Sequence, residues 1–330
     1  MSEQGSTEDR LIARYFRPLA NHPAALGLSD DAAALTPPAG CDLVLTTDGV
    51  IAGVHAFADD RPDMIGRKAL RMNLSDLAAK GAKPLGFLMA LSLPAAIDEA
   101  WLAAFAGGLG EDAERYGCPL LGGDTDHTPG PFAVSITAFG TVPQGKMVKR
   151  STAKPGDVIA VTGTIGDSAL GVLLRRDQAL SRRWTLTDAT SAHLKQRYLL
   201  PEPRNALAEA VLQHASAGMD ISDGLAGDIA KLCRASGVAA EIDVGRVPFS
   251  NAVRAAVAAD PAALETALSG GDDYELALTL APEKFSAFRA AAGQAGVPVT
   301  EIGRVAAGQG TRFSQNGRVL TFARPAYSHF

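Results

Sequence analysis

Apolar positions recur at helical spacing between Glu8 and Ala20, where Leu11, Ile12, Tyr15, Phe16 and Leu19 share one face. The pattern then alternates. It predicts a strand at Leu43–Thr47, a helix over Asp63–Lys80, a strand at Gly86–Leu93, a helix over Asp98–Tyr116 and a strand at Ala133–Thr141. Such alternation up to about Pro143 describes one α/β domain. Lys149–Asp157 is rich in basic, small and Pro-Gly residues and reads as a linker, followed by a strand at Val158–Thr162. A second domain follows, with helices expected at Thr187–Tyr198, Arg204–His214, Gly224–Ser236 and Pro282–Ala295. Its further strands are expected at Ala239–Ile242, Glu275–Leu280 and Val297–Ile302. The expected fold class is α/β (α+β), divided into an N-terminal domain over 1–148 and a C-terminal α/β domain over 149–330.

With 330 residues, 47% of them hydrophobic, the chain exceeds what one compact core usually holds, so two domains are expected. Three cysteines, Cys41, Cys118 and Cys233, stand far apart without metal-ligand spacing and are read as reduced thiols. Met1–Asp9 is polar and acidic, unlike a secretory signal, and no apolar run of about 18 residues is present to span a bilayer, so a cytoplasmic protein is expected. A net charge of −5 does not suit a nucleic-acid binder. Any phosphate-bearing ligand must be held locally, by metal ions, arginine or backbone amides.

Candidate chemistry lies in aspartates near the ends of apolar runs. Asp30 and Asp31 sit in Gly27-Leu-Ser-Asp-Asp-Ala32, Asp48 closes the run Leu43–Asp48, Asp124 follows Leu120-Leu-Gly-Gly, and Asp220 and Asp223 bracket Asp220-Ile-Ser-Asp-Gly224. Asn73, Asp76 and Lys80 share one helical face. Converging carboxylates at about 4 Å repel by roughly 4 kcal/mol at an effective dielectric near 20, so the cluster requires cations. Oxygen donors without histidine or cysteine select Mg2+, and Thr46 and Thr47 add hydroxyls to what reads as a multi-metal phosphate site. Individually, Asp30, Asp31 and Asp223 also suit turns or helix caps, and Asp76 suits an ion pair with Lys80. There is no P-loop, because Gly145-Lys146 continues with Met147.

These motifs, with Gly53-Val-His55, Arg150-Ser-Thr-Ala-Lys-Pro-Gly-Asp157, Thr162-Gly-Thr-Ile-Gly-Asp167 and Ser269-Gly-Gly-Asp-Asp-Tyr-Glu-Leu276, occur in an order that resembles the thiamine-monophosphate kinase family. That family lies within the aminoimidazole ribonucleotide and selenophosphate synthetase group. The resemblance implies a synthetase-like fold whose N-terminal sheet-and-helix domain pairs in a homodimer, with ATP and several Mg2+ ions near the domain junction. It assigns Asp31, Thr46, Thr47, Asp48, Asp76, Asp124, Asp220 and Asp223 to metal, and Gly123, Asp124, Arg150 and Ser222 to ATP, with Tyr116 as a stacking partner for adenine. It assigns His55, Asp272 and Tyr327 to thiamine phosphate, and Asp48, Asp124 and Arg150 to the chemistry. Thiamine phosphate carries a thiazolium cation, for which a carboxylate and an aromatic face are apt.

The expected reaction is in-line transfer of the γ-phosphoryl group of ATP to thiamine phosphate, with no general base. Rival expectations are an aminoimidazole ribonucleotide synthetase-like enzyme and a non-catalytic nucleotide-binding paralogue. Three departures from the family pattern stand out. Ser29 stands in place of a common glycine, Asp272 in place of glutamate, and Asp126-His127 follow the Gly-Gly-Asp-Thr segment.

Overall fold

The computed structural model describes residues 7–324 and 326–327, which form two compact units. One comprises the chain up to Leu77 with Ala82–Gly145, and the other comprises Ala78–Gly81 with the chain from Lys146 onward.

The first unit is built on four strands, β1 (Cys41–Ile51), β2 (Lys83–Leu93), β3 (Leu120–His127) and β4 (Ala133–Pro143), in the spatial order β1-β4-β2-β3. The β4 strand runs antiparallel to both β1 and β2, whereas β2 and β3 are parallel. Period-two alternation sorts the residues: Val44 and Val50 are buried while Leu45 and Ile51 are exposed, and β4 buries Val134, Ile136, Ala138 and Val142. The helices Pro62–Ala79 and Glu99–Arg115 are tied together by the buried Asp112 carboxylate, which accepts hydrogen bonds from Arg71 and Arg67 at 3.1 and 3.0 Å.

Two expectations require correction here. The N-terminal helical pattern is not one α-helix: Thr7–Leu11 is α, Ile12–Phe16 widens to π geometry and Arg17–Leu19 tightens to 3-10. Pro18 lacks an N–H and its ring clashes with the preceding turn, so the helix cannot continue, although Phe16 still buries. The strands also run past the aspartates expected to end them. Asp48 pairs with Ile136 and Asp124 with Ala90 inside continuous ladders.

The second unit carries seven strands, β5 (Val158–Thr162), β6 (Ala215–Asp220), β7 (Ala239–Asp243), β8 (Leu276–Leu280), β9 (Val299–Ala306), β10 (Gly310–Gln315) and β11 (Arg318–Val319), ordered β11-β10-β7-β9-β5-β8-β6. Every residue of β5 and β8 is buried, as expected for strands covered on both faces. Within β5, Ile159 and Val161 enter a core with Ile229 and Phe313, and Val158 and Ala160 enter another with Leu278 and Phe288. A third cluster gathers Leu170, Trp184, Leu194 and Val253. Cys118 and Cys233 are buried, which pushes their thiols up to about 12 and about 11, and all three cysteines are free. Among the described residues, no helix is long and apolar enough to cross a membrane.

Candidate functional site

Two of the expected metal residues, Thr46 and Asp76, meet on the helix-covered side of β1, and the backbone of a third, Asp48, is tied to the same helix. The Thr46 hydroxyl donates to the Asp76 carboxylate, and the Asn73 carboxamide accepts the Asp48 backbone N–H at 3.0 Å. Asn73 also donates to the Ala69 carbonyl at 3.0 Å, so its side chain is held at both ends. The sequence reading placed Asn73 beside Asp76 but gave it no role. It locks β1 to the Pro62–Ala79 helix at the residue before Gly49. Thr47 points to the opposite face, where its hydroxyl donates to the Ile136 carbonyl at 3.1 Å and accepts from Thr137 at 3.2 Å.

Asp31, Gly123 and Asp124 line a cavity of about 620 Å3 on that opposite face, together with Phe16, Leu28, Leu43, Leu88, Leu121 and Phe139. An apolar concavity with a few convergent polar groups is the usual form of a small-ligand site. Gly123 is required there, because an added Cβ would collide with the Met89 carbonyl of β2. Asp124 accepts the Thr125 N–H at 2.9 Å, and Asp31 N–H donates to Asp30 at 2.8 Å. Ser29 has φ −113°, so its replacement of glycine strains nothing. The left-handed backbone falls instead on Leu26, Gly27 and Leu28, at φ 50°, 63° and 50°. Asp126 is exposed and lies outside the cavity lining.

The two acidic groups of this unit stand apart. Because β1 and β3 are opposite edges of the sheet, three interstrand spacings, on the order of 14 Å, separate Thr46, Asp48 and Asp76 from Asp124. Tyr116 also lies outside the cavity lining. Its ring sits 5.8 Å from the Arg71 guanidinium and 5.1 Å from that of Arg115, which is the setting of a helix-end tyrosine. His55 Nδ1 accepts the Ile51 N–H at 3.2 Å, so in the neutral ring the proton resides on Nε2. The buried Lys68 ammonium donates to the His55 carbonyl at 3.1 Å.

In the second unit, Asp220–Gly224 and Ser269–Glu275 are zipped backbone to backbone. Ile221 N–H donates to Glu275 O, Tyr274 N–H to Ile221 O and Asp272 N–H to Ser222 O, each at 2.8 Å. Tyr327 N–H donates to Asp223 O at 3.0 Å, which brings Ser222, Asp223, Asp272 and Tyr327 into one locality. An added Cβ on Gly271 would collide with Ser222 O, so the approach depends on glycine. Asp272 adopts φ 72°, a left-handed conformation that Asp tolerates better than Glu. That gives a local reason for aspartate where the family commonly has glutamate.

Buried charge supports these loops. Burial pushes the Asp273 carboxyl well above its ordinary range, against the Gly166 N–H that donates to it at 2.8 Å. Glu275, fully buried, accepts from Arg197 at 2.9 Å, from Arg204 Nε at 2.7 Å and from the Thr162 hydroxyl at 2.7 Å. Lys231 bridges Asp223 and Asp228, and Asp228 accepts the Asp223 N–H at 2.9 Å. The sequence reading missed Arg197, Arg204 and Lys231, and no local spacing could have marked the arginines, whose partner lies more than 70 residues away. Arg150 is exposed, and its guanidinium makes no ion pair or hydrogen bond among the described residues.

Among the described residues, no group of three or more His, Cys, Asp or Glu side chains stands ready to enclose a metal ion. The donors Thr46, Asp48 and Asp76, and Asp31 and Asp124, are nonetheless all hard oxygens. Mg2+ binds through one or two carboxylates plus ligand phosphates and retains water, so small separate groups of this kind fit it without a closed cage.

The fold and these sites define an AIR synthase related protein. The family model for the N-terminal domain of such proteins matches residues 29–142, and that for the C-terminal domain matches residues 154–315. Within that class, the chain belongs to the thiamine-monophosphate kinase family. It is 44% identical to the thiamine-monophosphate kinase of Caulobacter vibrioides over 327 residues, covering 98% of this chain and 91% of that one. The crystal structure of thiamine-monophosphate kinase from Stenotrophomonas maltophilia superposes with a TM-score of 0.83 at 38% identity, covering 96% of this chain and 98% of that one. A complex described as AaThiL with AMPPCP and TMP superposes with a TM-score of 0.77 at 31% identity, covering 91% of each chain.

Proposed function

We propose that this chain is the kinase that transfers the γ-phosphoryl group of ATP to thiamine phosphate, giving thiamine diphosphate. In a chain of this family, the carrying observation is the cavity lined together by Asp31, Gly123 and Asp124, the residues assigned to nucleotide and metal. Its apolar walls suit the base of ATP, and that reading replaces stacking on Tyr116. Arg150, always charged and without a partner among the described residues, grips phosphate oxygens by its planar fork. Ser222 adds a hydroxyl to the nucleotide.

For the second substrate, the residues proposed are Asp272 and Tyr327, whose carboxylate and exposed ring suit a thiazolium cation, and His55, whose Nδ1 accepts the Ile51 N–H and leaves the ring proton of the neutral form on Nε2. No side chain is needed as a base, because a phosphate monoester with a second pKa near 6 is already largely ionised at neutral pH. Catalysis by this chain consists of positioning and of holding fixed charge against the phosphoryl oxygens. Thr46, Thr47, Asp48, Asp76, Asp31, Asp124, Asp220 and Asp223 are the residues that would hold Mg2+, which when bound supplies neutralisation of phosphate charge.

The protein works in the cytoplasm as a homodimer. Supporting the dimer, β1 is an edge strand whose Leu45 is 57% exposed, with Ile51 and the following Val54 at 39% and 48%. A second copy would also relieve the separation of the two acidic groups across one sheet. Phosphorus NMR of the protein with Mg2+, ATP and thiamine phosphate tests the activity. The expected result is a new diphosphate pair growing with ADP as thiamine phosphate disappears, and nucleotide binding without that pair would overturn it.

A further inference from the structure

Arg150 sits on a strap, Lys149–Ala153, laid along the open edge of β6. The Lys149 carbonyl accepts the Gly218 N–H at 3.2 Å, and the Thr152 hydroxyl donates to the Ser216 carbonyl at 2.7 Å. Ser236, the last residue of the Leu225–Ser236 helix, ties the strap from the other side. Its hydroxyl donates to the Arg150 carbonyl at 2.8 Å and accepts the Ala153 N–H at 3.2 Å. A hydroxyl has one proton to give, so this geometry uses its donor and one acceptor lone pair together. The guanidinium itself has no anchor among the described residues, so its direction is set by where its backbone is held.

We propose that Ser236 is a positioning residue for Arg150, aiming its guanidinium at the phosphates of ATP. The inference rests on the reading of Arg150 as a nucleotide contact. Fixing the carbonyl of one residue and the amide three residues on restrains the backbone around Arg150, and so confines the volume that its long side chain sweeps.

The test is a double-mutant cycle of Ser236→Ala and Arg150→Ala in the full-length protein, reading kcat/KM for ATP, with Ser236→Thr as the hydroxyl-retaining control. Loss of one neutral hydrogen-bonded restraint is expected to lower kcat/KM for ATP about fivefold. The same substitution in the Arg150→Ala background should have no further effect, because a residue acting through Arg150 has nothing left to position. Ser236→Thr should stay near wild type, and calorimetry with AMPPCP should show the same non-additivity without turnover. A fivefold loss that persists in the Arg150→Ala background, or Ser236→Ala at wild-type activity while Arg150→Ala is impaired, would overturn the positioning role. Wild-type activity in Arg150→Ala itself would overturn the nucleotide assignment on which the inference stands.

Discussion

Glu275→Ala removes a carboxylate that is fully buried and that receives bonds from Arg197, Arg204 and Thr162. The two guanidiniums stay behind with side chains only 11% and 17% exposed. Removing one partner from a buried ion pair costs about 3–5 kcal/mol, because the remaining charge is left uncompensated. Thr162 adds little, since its oxygen still accepts the Leu276 N–H at 2.8 Å. An expected loss of about 4 kcal/mol is a large share of the roughly 5–15 kcal/mol that stabilises a typical domain. Guanidinium unfolding followed by fluorescence measures it. In a Trp101→Phe background the buried Trp184, which lies in the same unit as Glu275, is the sole tryptophan reporter. Replacing the triad together, as Glu275→Leu with Arg197→Met and Arg204→Met, should recover most of the loss, because no orphaned charge remains. A Glu275→Ala loss below about 1 kcal/mol would refute the view that this triad anchors the Ser269–Glu275 loop.

Other perturbations give separate outcomes. Asp48→Asn and Asp124→Asn should each cut turnover by at least about 100-fold with melting temperatures little changed; near-normal turnover in both would remove them from the chemistry. Gly123→Ala must part β3 from β2 at the Met89 carbonyl, so a stability loss of about 1–3 kcal/mol with weakened ATP binding is expected by denaturation and calorimetry. His193 is raised above its ordinary value by its hydrogen bond to Asp167. Asp167, although burial pushes it up, is held below its ordinary value by His193, Ser250 and Thr164. A raised folded-state pKa stabilises fully below the unfolded value of 6.5 and loses that contribution as pH rises through the folded value. The melting-temperature gap between wild type and His193→Gln should therefore be largest near about pH 5.5 and close at alkaline pH, and a gap that widened with pH would contradict this.

The helices and central strands were legible because one face of each is apolar at a fixed period. Asp63–Lys80, Asp98–Tyr116 and Gly224–Ser236 all have close counterparts in the structure. Less legible were β6 and the Asp167–Arg176 helix, where alanine, glycine and buried polar residues blur the pattern. The strand ends near Asp48 and Asp124 were misjudged because polar residues facing a cavity or a helix resemble a turn when read alone. Motif order pointed to the residues that line the cavity and the zipped loops. It could not reveal that Thr46 and Thr47 face opposite sides, although alternation along a strand implies it, nor that Glu275 is held by arginines from a distant helix and loop.

The zipped loops bear on how this protein can change over generations. Because Asp220–Gly224 and Ser269–Glu275 are joined through amides and carbonyls, their shape is nearly independent of the side chain at Ser222, whereas position 272, at φ 72°, favours residues that tolerate the left-handed conformation. Drift at Ser222 can retune what is recognised without dismantling the frame, while Gly271 admits no replacement without displacing its neighbour. In a lineage, or in a designed library, the frame should therefore tolerate variation at 222, restrict 272 to residues such as Asp, Asn or Gly, and purge changes at the glycine.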